Sequence, residues 1–124
     1  MRKQYHFRKV GEDTYIWDMD QLIHQSSHLP VLQISLDDIQ ELKEPYWFPN
    51  HYPNTIELLE HFKLVGEADL SYPIILCPEG RVMDGMHRVA KAKMLNLSFI
   101  GAVQFTIMPQ PDFINVDEDD LSYD

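Results

Sequence analysis

The chain has 124 residues, 44% of them hydrophobic and 24% charged, which suits one globular domain with a real core and leaves no room for two. One cysteine excludes an internal disulfide, and no apolar run approaches the ~20 residues of a membrane span. The net charge of −10 argues against a duplex-binding surface, which needs a broad basic footprint.

No signal-peptide pattern opens the sequence, so a cytoplasmic location is expected. Tyr5 to Val10 has the residue types of a strand, and Gly11-Glu12-Asp13 turns it into Thr14 to Trp17. Asp18 is placed to cap a helix carrying Leu22 and Ile23 to about His28, before Leu29-Pro30 stops it. His24 and His28 are four apart on that helix. A solvated pair is the expectation rather than a metal site, because the glutamate of zinc-protease helices is replaced by Gln25.

Val31 to Leu36 alternates as a strand, and Asp37-Asp38 opens a short turn of helix through Leu42. A loop follows that holds Glu41, Glu44, Tyr46, Trp47, Phe48 and His51 among three prolines. It reads either as an aromatic lid with carboxylates near a ligand or as a loop whose rings pack under the sheet. Asn54, with Glu57 three residues on, forms a capping-box variant at the start of a helix. Leu58, Leu59, Phe62 and Val65 are expected on its apolar face, and Gly66 at its end or at a break.

The most informative stretch is Ser71 to Ile107. Ile74 to Cys77 suits a buried strand, Pro78-Glu79-Gly80 a tight hairpin, and Arg81 to Met83 the returning strand. Asp84-Gly85 opens a helix, with Asp84 as the expected N-cap. Met86, Val89, Ala90, Met94 and Leu97 recur at helical spacing, and Asn96 is the expected stop. His87 and Arg88 thus fall in a first helical turn, where unpaired N–H groups and the helix dipole favour an anion. Arg88 supplies a planar fork for phosphate and His87 a donor that also carries a proton. The residues alone equally suit a plain helix start with an exposed histidine and arginine. Phe99 to Met108 reads as the last strand, and Asp112 onward as an acidic, solvated tail.

Pro73-Ile-Ile-Leu, Asp84-Gly-Met-His-Arg-Val-Ala-Lys-Ala and Leu97 together resemble the ParB/sulfiredoxin superfamily, over roughly residues 31 to 107. Asp84-Gly85-Met86-His87-Arg88 is most similar to the motif of ParB-like free serine kinases. The resemblance implies an α/β (α+β) fold, a small mixed sheet with packed helices. It also implies a single domain over residues 1–111, with a core at about 31–108, an N-terminal extension at 1–30 and a tail at 112–124. A phosphate site at Asp84, Gly85, Met86, His87 and Arg88 follows, for ATP, ADP or CTP with Mg²⁺ or another small phosphate-containing ligand. In a phosphotransferase or nucleotide hydrolase of this kind, Glu44 or Glu41 is the expected carboxylate base and His87 a proton carrier, while Asp84 holds Mg²⁺ or caps the helix. Sulfiredoxin activity is excluded, since Met86 stands where its nucleophilic cysteine would be.

The loop before Asn54 also departs from ParB domains in lacking their arginine. The alternative is a non-catalytic ParB-like module in DNA partition, regulation or protein interaction. Specific DNA binding is not expected, because only the acidic tail follows Met108 and no helix-turn-helix region does.

Overall fold

Tyr5–Val10 (β1) and Asp13–Asp18 (β2) pair antiparallel across a turn in which Gly11 takes φ +63°. In the computed structural model, which describes residues 3–123, this hairpin carries a third strand, Phe113–Ile114 (β7), on the far side of β2. Met1, Arg2 and Asp124 lie outside the described residues.

Asp18 ends β2 and caps α1 (Met19–Ser26) by accepting from the Asp20 N–H at 2.9 Å. The helix stops two residues short of His28, because the Ser27 N–H and hydroxyl both turn back to the His24 carbonyl. His24 and His28 are both exposed and share no helix face. Among the described residues no group of three or more His, Cys, Asp or Glu side chains is placed to hold a metal ion.

The second sheet contains Leu32–Ser35 (β3), Ile74–Leu76 (β4), Val82–Asp84 (β5) and Phe99–Gln104 (β6), ordered β3-β6-β4-β5. Both outer pairs are antiparallel, and the central pair β4–β6 is parallel. A parallel pair needs a crossover, and α3 (Met86–Met94) supplies it. The chain is therefore a mixed α+β fold, as its motifs lead one to expect.

Both faces of this sheet are covered, which explains why β4 reads as an unbroken apolar run. Ile74, Leu76 and Val82 pack with Met86, Val89 and Ala92 of α3. The alternate residues Ile75, Met83 and Val103 face the other way, onto Trp17, Met19 and Leu22. Of the segment 1–30, expected as an extension, Trp17, Met19 and Leu22 thus provide the cover for one face of the sheet.

Two expectations need correction. α2 (Thr55–Glu67) starts with a full Asn54–Glu57 capping box, yet its only buried residue is Val65, and Leu58, Leu59 and Phe62 lie exposed. Residues 112–123, expected as a solvated tail, run back along β2. Asp112 accepts the Asp18 N–H at 2.8 Å, Asn115 binds Thr14 and Asp13, and Leu121 is buried. No helix among the described residues is long and apolar enough to cross a membrane.

Candidate functional site

The site begins at a backbone requirement. β5 delivers the chain to Gly85, whose φ of +106° lies in the left-handed region that side chains resist. A Cβ there would sit 2.6 Å from Cγ2 of Ile74 and 2.9 Å from Nη2 of Arg88. Gly85 rather than Asp84 is the N-cap of α3, and it has no side chain to satisfy the first amides. The N–H groups of Met86, His87 and Arg88 have no intrahelical acceptor, as at any helix start. At the other end Asn96 takes φ +59° and closes a Schellman motif: its N–H bonds to the Lys93 carbonyl and that of Leu97 to the Ala92 carbonyl, both at 3.0 Å.

The amino end of α3 opens on a cavity of about 480 Å³. Asp84, Gly85, Met86 and His87 form one wall, Tyr46 and Trp47 another, and Lys3 to His6 the third. The loop therefore brings two of its rings to the site: Tyr46 and Trp47 border the cavity, while Phe48 packs away from it, on His51 and His61.

His87 is held by partners that the sequence motif does not reveal. Its Nε2 lies 2.8 Å from Nδ1 of His61 on α2. Trp47 stacks on both imidazoles, with ring centroids 4.6 Å from His61 and 4.7 Å from His87. Burial lowers the pKa of each histidine below the usual value, and the neighbouring His61 lowers that of His87 further. The pair is neutral near pH 7, one ring donating to the other. His61 carries a weak sequence signal, standing four residues before Val65 on the one buried stripe of α2.

Arg88 does not present an open fork. One Nη donates to the Pro73 carbonyl at 2.9 Å and the other to Oδ2 of Asp84 at 2.8 Å. This partly buried pair locks the start of β4 to the end of β5 and the first turn of α3. The Asp84 Oδ1 atom makes no hydrogen bond among the described residues.

Glu41 and Glu44 sit elsewhere. Glu41 is only 2% exposed, and its Oε2 accepts the Val82 N–H at 2.7 Å with Nε of Arg81 at 3.4 Å. Glu44 makes a two-armed contact with Arg81 at 2.7 and 3.0 Å, which holds its carboxyl below the usual range. Neither carboxylate lines the cavity. Both bind the turn after β3 to the β4–β5 hairpin, whose connecting turn closes through Gly80 at φ +82°.

His6 is a further unusual histidine that its sequence context does not announce. It lies on β1 against Trp17, its Nε2 is buried without a partner, and burial brings its pKa to about 4. A histidine on a strand of otherwise ordinary composition carries no signal for such an environment. Comparison with family models, with characterised proteins and with solved structures finds no match.

Proposed function

We propose that this protein binds a small phosphate-containing ligand, a nucleotide such as ATP, ADP or CTP with Mg²⁺, at the amino end of α3. One observation carries the reading: an uncapped helix start, formed by a glycine in a left-handed conformation where a Cβ would crowd Ile74, opens on a cavity of nucleotide scale. The free amides of Met86 and His87 suit phosphate oxygens, and Oδ1 of Asp84 suits a hard cation. The bound metal would neutralise phosphate charge. The resemblance of Asp84-Gly85-Met86-His87-Arg88 to ParB-like proteins supports the same assignment.

Binding is better supported than phosphoryl transfer. A transferase needs a base near its acceptor, and Glu41 and Glu44 are engaged by Arg81 and lie off the cavity. The proton acceptor on hand is the neutral His61–His87 pair. The engagement of those two carboxylates favours a second reading, a non-catalytic ParB-like module whose ligand regulates a partner.

Thermal unfolding of the full chain with ATP, ADP, CTP or pyrophosphate, each with and without Mg²⁺, tests the proposal. A ligand at about 100 times its dissociation constant should add about 2.7 kcal/mol to stability. No stabilisation by any of these at millimolar concentration overturns it. Product formation from a stabilising nucleotide then separates enzyme from module.

A further inference from the structure

α2 keeps most of its apolar surface in solvent. Ile56 is 67% exposed, Leu59 57% and Phe62 60%, and Val65 is the one buried residue of the helix. Helical spacing sets these three exposed residues along one side, each three positions after the last. That side ends at Gly66, seven positions after Leu59. A Cβ built on Gly66 meets nothing within 4 Å, so no neighbour in this chain requires a glycine there. Glycine weakens a helix relative to alanine, whereas its bare backbone admits another chain closely. None of these four residues lines the cavity at the start of α3.

The next strip around the helix is charged. Glu60, Lys63 and Glu67 follow one another at helical spacing beside the apolar side. Lys63 meets Glu67 at 4.0 Å with both side chains exposed, and Glu60 makes no hydrogen bond or ion pair among the described residues. With Glu57, α2 thus carries three carboxylates to one ammonium.

We infer that α2 is a docking surface for a basic amphipathic helix of another protein. Soluble monomers rarely leave a contiguous apolar strip of this kind uncovered. Glu60 and Glu67 stand about 10.5 Å apart along the axis, so two basic side chains one heptad apart on a facing helix reach both. The apolar side of that helix covers Ile56, Leu59 and Phe62, and its backbone comes nearest at Gly66. A second copy of this chain fits less well. It sets glutamates against glutamates and brings together two chains of net charge −10.

Fluorescence anisotropy of the full chain with three labelled synthetic peptides, each of about 20 residues so that a helix can form, tests this. The first carries leucine and lysine at amphipathic helical spacing, the second the same residues in scrambled order, and the third glutamate in place of lysine. The first should bind more tightly than either of the others by about tenfold or more. Phe62→Asp, at an exposed position, should weaken it by about tenfold or more, with circular dichroism confirming the fold. Charge reversal by Glu60→Lys with Glu67→Lys should turn the preference to the glutamate peptide. No binding of the lysine peptide overturns the inference, as does equal binding of the scrambled one. So does binding that survives Phe62→Asp or keeps its preference after charge reversal. Sedimentation equilibrium supplies the remaining control: a dimer that Phe62→Asp dissolves gives this face to a second copy and overturns the inference as well.

Discussion

Nε2 of His87 and Nδ1 of His61 stand 2.8 Å apart, so the two rings share a hydrogen bond that exists only while at least one of them is neutral. Trp47 covers both rings, tying the loop after β3 to α2 and α3 through one stacked group. Since the apolar residues of α2 are mostly exposed, this stack and Val65 are a large share of what seats the helix.

Acid should loosen that stack. Both histidines have folded pKa values below the ordinary 6.5, so the unfolded chain binds the more protons as pH falls through that range. Their contribution is complete above pH 6.5 and is lost as pH falls through the folded values. Glu57 and Glu60 act on His61 in the opposite sense, favouring its charged form, and moderate the effect. Trp47 emission, taken as the difference between wild type and Trp47→Phe, should change with a midpoint below 6.5. His87→Asn should move that midpoint, and an emission flat from pH 7.5 to 5 would refute the coupling.

Gly85→Ala should be among the most damaging single substitutions in the chain. The new Cβ meets Ile74 at 2.6 Å in a left-handed backbone. Strain and overpacking together are expected to cost about 3 kcal/mol. Urea denaturation reads the loss, and a midpoint within error of wild type would show that the turn relaxes.

Arg81 should matter to stability far more than Glu44, although the two form one ion pair. Arg81→Ala strands the Glu41 carboxylate, 2% exposed, with the Val82 N–H as its remaining partner, a cost of about 3 kcal/mol. Glu44→Ala leaves Arg81 with Glu41 and Gln40 and empties an exposed position. Chemical denaturation of both variants should show a large shift for the first and a small one for the second. The reverse order would overturn the view that Arg81 chiefly serves Glu41.

Local physics wrote much of this fold into the chain. β1 and its glycine turn, the Asn54–Glu57 capping box, the hairpin closed by Gly80, the crossover helix from Met86 and its stop at Asn96 each depend on residues within a few positions of one another. The site glycine was legible for the same reason, since the demand for a positive φ between a strand and a helix is a local one. Contacts between distant segments were not legible. Short-range pattern places Arg88 off the apolar stripe, but Pro73, fifteen residues away, takes one of its arms. Nothing near His87 announces His61, and nothing in an acidic terminal run announces that Phe113–Ile114 completes a sheet begun a hundred residues earlier. Charge and propensity speak for solvent there, whereas an open β2 edge has unpaired N–H and C=O groups that any extended segment can satisfy. Residue types set the chemistry available at the start of α3. The tertiary structure decided which of those groups remain free, because each donor and carboxylate binds whichever partner the packed elements bring within reach.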